Sequence, residues 1–354
     1  MRAFLHPIFW LGRIAAFGLV GLLVLVIAGL LYFAYVGTPN SSRHLRFEGY
    51  VVLPGHGIFN MLDGVATSGG ALFVAGSTSG SLYRISLNSG EHQRDGTQVK
   101  EWQSDGGLHD IAFDERRGTA FATRSGTNVV DAFSPTTLKL LARIPAPEDP
   151  DSILYDPAHD LIYAASGNAK KATLIDPKKL VLIGEIELGG TPEDAAFDPV
   201  SQLVYQNLIS ENAILAIDLA TRRIVGRWSI APCSGPTGLV IDGKNRRAFI
   251  GCLKNSLVVV FDLSRHVVVA SLPVGGGPDS VDYDPTLARI YSTGLAGRVT
   301  VIQQLGPNSY RLMDSVATHL MAHSLTVDPD THQVYVGYAS LAAAPRVAIF
   351  TALP

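Results

Sequence analysis

The chain has 354 residues, of which 47% are hydrophobic and only 17% charged, so it can bury a large core and disorder is not expected. Two cysteines are too few for a scaffold held by disulfides or for a zinc ribbon. Four of the 28 Lys and Arg lie in the first 46 residues, which contain no acid, so the rest carries 24 basic side chains against 31 Asp and Glu. Because phosphate backbones are bound mainly through Lys and Arg, nucleic acid is not expected as a partner.

The first predicted element is an apolar run without any charge, residues 14–36, which follows a short N-terminal tail, residues 1–13. At about 1.5 Å per residue, a helix of this length crosses the roughly 30 Å hydrocarbon core of a bilayer. A cleaved signal peptide is the alternative, but its apolar region usually has only about 7–15 residues. We therefore predict a single-pass transmembrane helix over 14–36, followed by a linker over 37–46.

The flanking arginines are nearly balanced across the apolar run, so the positive-inside rule does not settle the orientation. Arg2 and Arg13 precede the run, and Arg43 and Arg46 follow it. A lone N-terminal apolar helix commonly serves as an export signal. On that ground we expect the body to be periplasmic or extracellular.

The body consists of a repeated unit of 42 to 44 residues, visible as segments such as ILYDPAHDLIYAA (153–165) and AAFDPVSQLVYQN (195–207). Each unit has a short apolar strand that ends in Asp, often followed by Pro, which is a turn signal with a physical basis. A second strand with an aromatic residue follows, and then two further β-branched runs. The aspartates that mark the repeat are Asp114, Asp156, Asp198, Asp242, Asp284 and Asp328.

Four strands per unit at this period predict an all-β fold, a seven-bladed β-propeller, over residues 47–354. The seventh unit is incomplete, because only four residues follow its third strand, RVAIF (346–350). We predict that residues 47–53, directly after the linker, supply the missing fourth strand. This strand would close the ring and remove an open sheet edge.

The pattern x-P-D/E-x-hydrophobic-x-D-P, followed by Tyr-V, I-D and G-x-I, resembles the YVTN-type, YncE-like propeller repeat. The segment TPEDAAFDPVSQLVYQNLISENAILAIDLATRRIVGRW (191–228) carries the resemblance best. The literal YVTN string is absent, and LVYQN (203–207) and QVYVG (333–337) are its nearest equivalents. The resemblance covers the chain from 47 to 354 and implies a WD40-like ring in an exported protein with a binding role.

One column of residues, five positions before each turn aspartate, is expected at the mouth of the central channel. His and carboxylate side chains are ligands for zinc-like metals, and oxygen ligands alone suit calcium. The column therefore provides candidate metal ligands, with calcium or zinc as the possible ion. The alternative is that these side chains cap turns and line a water-filled channel. The metal candidates are Asp63, His109, Asp151, Glu193, Asp279 and His323, and further ligand candidates on the same face are Thr237, His56 and His319.

The function that these features favour is a membrane-anchored, extracytoplasmic binding or scaffold module that holds a small ligand or a protein at its loop face. The alternative is a metal-dependent hydrolase of the lactonase kind, which would use the carboxylates and histidines at the channel mouth. The chain has no GxSxG elbow, HExxH helix, Walker loop or GxGxxG opening a helix. No catalytic residue and no organic cofactor are therefore assigned, and the balance favours a protein that is not an enzyme.

Two expectations concern geometry. Cys233 and Cys252 both belong to the loop face and can form a disulfide if the loop before the strand folds back.

The linker spans at most about 35 Å when extended, and the closing strand starts at the face opposite the mouth. On this reasoning the mouth points away from the membrane.

Overall fold

A computed structural model of the protein describes residues 18–29, 38–55, 57–87, 99–103, 105–341 and 343–354. Residues 18–29 are helical and exposed. Within the described ranges, no helix is both long and apolar enough to cross a bilayer. The tail 1–13 and residues 14–17 and 30–36 of the predicted transmembrane segment lie outside the described residues.

The rest of the described chain is β-structure apart from turns and a short 3₁₀ helix, Ser125–Thr127. In chain order the strands are β1 (Leu45–Val52), β2 (Phe59–Asn60), β3 (Leu62–Ser68), β4 (Ala71–Gly76), β5 (Ser81–Ser86), β6 (Val99–Gln103), β7 (Leu108–Asp114), β8 (Thr119–Arg124), β9 (Val129–Phe133), β10 (Leu140–Pro145), β11 (Pro150–Asp156), β12 (Leu161–Ser166), β13 (Lys171–Asp176), β14 (Val181–Glu187), β15 (Pro192–Asp198), β16 (Leu203–Leu208), β17 (Ala213–Asp218), β18 (Arg223–Ser229), β19 (Pro236–Asp242), β20 (Arg247–Cys252), β21 (Leu257–Asp262), β22 (Val267–Pro273), β23 (Pro278–Asp284), β24 (Arg289–Gly294), β25 (Arg298–Gly306), β26 (Ser309–Ala317), β27 (Ala322–Asp328), β28 (Gln333–Tyr338), β29 (Ser340–Leu341) and β30 (Arg346–Ala352).

These strands form seven four-stranded antiparallel sheets, so the predicted seven-bladed β-propeller is confirmed. Blades one to six are β3–β6, β7–β10, β11–β14, β15–β18, β19–β22 and β23–β26; blade seven is β27, β28, β30 and β1. The first strand of every blade begins at one end of the ring, which we call the mouth end, and finishes at the far end. The short β2–β29 ribbon lies at the mouth end, because it joins the loop before β3 to the loop between β28 and β30.

The Asp-containing turns form at the far end in the way that the repeat predicts. In blade three, the Asp156 carboxylate accepts hydrogen bonds from the backbone N–H of Ala158 and His159, at 2.8 and 3.2 Å. The fourth turn residue, Asp160, has a left-handed φ of 58°. The aromatic side chains of the second strands pack between blades and are fully buried; they are Phe73, Phe121, Tyr163, Tyr205, Phe249, Tyr291 and Tyr335.

The ring is closed by β1, which pairs with β30 from Leu45 opposite Ala352 to Val52 opposite Arg346. The strand thus begins two residues before the predicted position and contains an irregularity between Phe47 and Gly49. Val51 is buried in a hydrophobic cluster that joins blades seven and one. Both ends of the chain's body therefore contribute to one sheet, and β30 has no open edge.

The residues before β1 fold back along the outer strand of blade six, an arrangement that the sequence did not predict. The Asp314 carboxylate accepts hydrogen bonds from the Ser42 hydroxyl at 2.7 Å and from the His44 backbone N–H at 3.1 Å, and His44 Nδ1 lies 2.7 Å from it. Asn40 and Ala317 exchange two hydrogen bonds, of 3.2 and 2.8 Å. We call residues 40–44 with these partners the linker clasp.

Cys233 and Cys252 form a disulfide, with a Cα–Cα distance of 5.3 Å. Cys252 ends β20 at the mouth end, and Cys233 lies in the loop that precedes β19. Both residues are buried in the core between blades four and five. The loop thus folds back as the bridge requires, and the open question about these two thiols is answered in favour of a disulfide.

Closure of the ring can be tested with two adjacent valines of β1. Val51 is 6% exposed and Val52 is 38% exposed, so Val51→Asp places a charge in the core whereas Val52→Asp leaves it near solvent. We expect Val51→Asp to lower the free energy of unfolding by more than about 3 kcal/mol, and Val52→Asp to change it by less than about 1 kcal/mol. Urea unfolding followed by tryptophan fluorescence measures both; similar values for the two variants would contradict closure by β1.

The contribution of the disulfide can be tested by replacing both cysteines with alanine. The bridge closes a loop with a sequence separation of 19, so its removal should lower the free energy of unfolding by about 2–4 kcal/mol. Chemical denaturation of the double variant, compared with the oxidised and the reduced wild type, measures this difference. The reduced wild type should resemble the double variant, and equal stability of all three forms would contradict the prediction.

Candidate functional site

The seven column positions all line one cavity at the mouth of the channel, with a volume of about 710 Å³. Each is the second residue of the first strand of its blade, and the residue before it is buried. The column residue lies within a register irregularity of its strand, as in blade three, where the irregularity spans Pro150 to Ile153 and includes Asp151. Seven identical positions in a closed ring therefore bring one side chain from each blade to one place: Asp63, His109, Asp151, Glu193, Thr237, Asp279 and His323.

Asp63 lies between the two imidazoles of the column. His109 Nδ1 is 3.0 Å from Asp63 and 3.3 Å from Asp151, and the other ring nitrogen, Nε2, is 2.8 Å from the Ser125 hydroxyl. His323 Nδ1 is 3.2 Å from Asp63 and 3.1 Å from Asp279. The two histidines thus join five blades of the ring and lie beside three of its four column carboxylates.

Ion pairs between the histidines and the carboxylates stabilise this part of the column. Burial by itself would lower the pKa of His109, but the hydrogen bonds with Asp151 and Asp63 outweigh burial and raise the pKa to about 10. Burial would likewise raise the pKa of Asp63, but its contacts with His109 and His323 hold that pKa below its ordinary value. Near neutral pH, His109 is therefore an imidazolium between two carboxylates.

Glu193 is the column carboxylate that has no ion-pair partner among the described residues. Burial, together with the charges of Asp151 and Asp279, raises the pKa of Glu193 to about 8. Asp194, the next residue, also lines the cavity. Burial and the nearby carboxylates Asp110 and Glu193 raise the pKa of Asp194 well above its ordinary value. This side of the cavity is an acidic region that lacks a positive charge of its own.

Three further carboxylates in the cavity wall were not predicted: Asp110, Asp194 and Asp282. Asp110 accepts hydrogen bonds from the backbone N–H of Ile111 at 2.7 Å and of Ile153 in the next blade at 3.0 Å. Asp282 accepts one from Val327, also in the next blade, at 2.8 Å. Asp110 and Asp282 therefore hold adjacent blades together. The sequence carries a signal for two of them, because Asp110 and Asp194 each directly follow a column residue, in the pairs HD (109–110) and ED (193–194).

The remaining ligand candidates have different positions. Thr237 lines the cavity, but its hydroxyl donates to the Pro278 carbonyl at 2.9 Å and so joins blades five and six. His319 is outside the cavity, stacked on Tyr338 with ring centroids 4.0 Å apart and 2.8 Å from the Tyr50 hydroxyl. Burial and Arg346 lower the pKa of His319 to about 4, and the role of His319 as a ligand on the loop face stays a prediction. His56 lies outside the described residues.

Four apolar side chains of mouth-end loops also line the cavity, and we call them the apolar collar. Met61 belongs to the loop before β3, and the other members belong to loops that follow second strands at the mouth end. Leu295 is 38% exposed. A ligand in the cavity can therefore contact hydrophobic side chains as well as carboxylates, which favours a cation with an apolar part. The collar consists of Met61, Ile209, Leu253 and Leu295.

The lining as a whole is acidic. Among the described residues it contains seven carboxylates and two imidazoles, and neither Lys nor Arg. The described part of the chain has no group of three His, Cys, Asp or Glu side chains arranged to hold a metal ion. The arrangement is suited to attract a cation, since low-dielectric walls strengthen the field of the carboxylates inside a cleft.

Comparisons with known proteins establish the fold alone. No family model matches the chain, and no curated protein matches it. Among solved structures, it is similar to the hydrazine synthase of Kuenenia stuttgartiensis, with a TM-score of 0.69 and 16% identity over 80% of this chain and 94% of that one. The WD40 repeats of RRP9 give 0.72 and 10%, over 90% and 100%. Virginiamycin B lyase of Staphylococcus aureus gives 0.70 and 13%, over 87% and 100%.

The raised pKa of Glu193 predicts a specific dependence of stability on pH. Between its ordinary pKa of 4.5 and about 8, folded Glu193 keeps a proton that the unfolded chain has released, so the wild type loses stability as the pH rises through this window. Glu193→Gln removes this loss. It should be more stable than the wild type by about 1–3 kcal/mol at pH 9 and equally stable near pH 4.

Denaturant unfolding at several pH values measures this difference. Asp330→Asn, an exposed acid at the far end, is the control and should follow the wild type at every pH. A Glu193→Gln curve parallel to the wild type would show that Glu193 titrates normally.

Proposed function

We propose that this protein is a membrane-anchored, extracytoplasmic binding module that holds an organic cation in the acidic cavity at the mouth of its propeller. The observation that carries the proposal is the asymmetry of the ring. His109 and His323 lie beside Asp63, Asp151 and Asp279, whereas Glu193 and Asp194 face the cavity without an ion-pair partner among the described residues. A cation bound there would complete the charge balance.

The chemistry of the cavity favours an amine or guanidinium over a bare metal ion. The collar of Met61, Ile209, Leu253 and Leu295 provides apolar contact for a carbon skeleton. A hydrated metal ion presents only water molecules and is not stabilised by such contact. The carboxylates of Glu193 and Asp194 provide charge-assisted hydrogen-bond acceptors for N–H donors. The ligand class that fits is therefore an aliphatic amine, free or as a side chain of a protein partner.

Three features support the location that we propose. The apolar run over 14–36 has the length of a membrane-spanning helix, and the Cys233–Cys252 disulfide is a bond that persists mainly in oxidising compartments. The repeat resembles the YVTN-type, YncE-like family, to which we propose that the propeller belongs. The metal-dependent hydrolase remains the alternative from sequence; no observation in the described residues favours it over binding.

Binding can be tested by titrating the full chain in detergent with spermidine by calorimetry at pH 6.5 and pH 9. Because a cation displaces the proton of Glu193, affinity should rise as the pH passes about 8. Glu193→Gln should weaken binding at pH 9 by about tenfold, equivalent to about 1.4 kcal/mol, and should remove most of the pH dependence.

Asp330→Asn is the matched control, since it removes one acid at the opposite end of the ring and should leave the affinity unchanged. Calcium chloride and zinc chloride are titrated in parallel, with ester hydrolysis measured before and after their addition. No spermidine binding, or binding that Glu193→Gln does not weaken, would refute the proposal, and activity that depends on added metal would favour the hydrolase.

Location can be tested by fractionating cells that produce the full chain. We expect it in the membrane fraction after carbonate extraction, with the propeller digested by protease added outside the cytoplasmic membrane. Deletion of residues 14–36 should remove it from the membrane fraction. Cysteines that react with maleimide without prior reduction would argue for a reducing compartment and against the proposed location.

A further inference from the structure

The linker clasp changes where the chain leaves the propeller. β1 begins at the far end, since Leu45 lies opposite Ala352. Asn40, however, is hydrogen-bonded to Ala317, which lies opposite Arg298 at the mouth end of blade six. Residues 40–44 therefore run back along blade six from the mouth end to the far end. The reason for expecting the mouth to point away from the membrane no longer holds.

The clasp also shortens the free tether. Only residues 37–39 separate the predicted membrane helix from Asn40, which is a reach of at most about 14 Å. Pro39 is already buried against the body, and Thr38 is exposed. If the apolar run crosses the bilayer as proposed above, it emerges beside the mouth-end rim of blades six and seven. The far end is then separated from that point by the height of the ring, about 23 Å for a seven-residue strand.

The loops around this exit point carry apolar side chains that the fold does not bury. Ile58 is 74% exposed and Phe59 is 41% exposed, at the β2–β29 ribbon above blade seven, and Leu295 is 38% exposed in the adjacent turn of blade six. Exposed aliphatic and aromatic side chains at loop tips suit the interfacial region of a bilayer. The exposed cation Lys254 in the next blade suits anionic headgroups.

We infer that the mouth end of the propeller faces the membrane, with the β2–β29 ribbon and the blade-six turn against the lipid headgroups. The occupant of this surface is the lipid bilayer that holds the chain's own apolar segment. The acidic cavity then opens toward the membrane surface, and its ligand approaches between ring and lipid. The inference rests on the membrane anchor of the proposed function, but not on the identity of the ligand.

The test compares two exposed aliphatic residues at opposite ends of the ring, Ile58 and Val200, which are 74% and 63% exposed. Val200 lies in the turn after β15, at the far end. Each is replaced by cysteine in the full chain, and labelled with bimane; the native cysteines are bridged and do not react. The protein is reconstituted in vesicles of phosphatidylcholine and phosphatidylglycerol that contain lipid with a nitroxide on the headgroup.

We expect quenching at position 58 to exceed quenching at position 200 at least threefold, because about 20 Å separates the two ends. Asp314→Ala combined with Asn40→Ala removes the side-chain hydrogen bonds that hold residues 40–44 to blade six and should bring the two values closer together, while Asp330→Asn should leave the ratio unchanged. An unchanged ratio in the double variant would show that the clasp does not set the orientation.

Vesicle flotation separates failure of this inference from failure of the anchor. If the full chain floats with the vesicles and position 200 is quenched as strongly as position 58, or more strongly, the orientation is wrong and the anchor stands. If the chain does not float, the anchor is wrong and the inference fails with it. Spermidine binding in detergent is independent of both outcomes.

Discussion

The structure depends on the pairing of β1 with β30. Six blades are built from consecutive strands, and each could form its sheet locally, but the seventh requires strands from both ends of the body. Without β1, the edge of β30 and the cluster containing Val51 would be exposed to solvent. Closure also fixes the channel, because seven first strands can present their second residues to one cavity only when the ring is complete.

The same closure creates the electrostatics of the mouth. Asp63 in blade one lies between His109 in blade two and His323 in blade seven, so this contact spans the join between the two ends of the chain. The histidines lie beside Asp63, Asp151 and Asp279, and Glu193 is left across the cavity with a raised pKa. The seven column positions are equivalent in the repeat, but they differ in charge. On one side of the cavity, the carboxylates are paired with histidines; on the Glu193 side, no positive charge of the described residues balances them.

In the membrane-anchored protein that we propose, the linker clasp would couple this site to the membrane. Asp314 and Ala317 bind residues 40–44 along the outside of blade six, so the chain cannot extend freely from the far end. If the apolar run is a membrane anchor, a tether of three residues would leave the propeller little freedom to rotate away from the bilayer. The position of that anchor and the position of the cavity would then be determined by the same two blades, six and seven, at which the ring closes.

The sequence by itself determined the repeat, the number of blades, the closing strand and the seven column positions, because strand periodicity and the Asp turn are local properties of 42 to 44 residues. Only the tertiary structure decided which column residues meet, since Asp63 and His323 are 260 positions apart and their contact depends on closure. It also placed His319 in an aromatic cluster and set the direction of the linker, because His319 contacts Tyr50 and Ser42 contacts Asp314, partners that are 269 and 272 positions away in the chain. The local sequence pattern determines the strands and turns, whereas contacts between residues distant in the chain determine the arrangement of the cavity and the path of the linker.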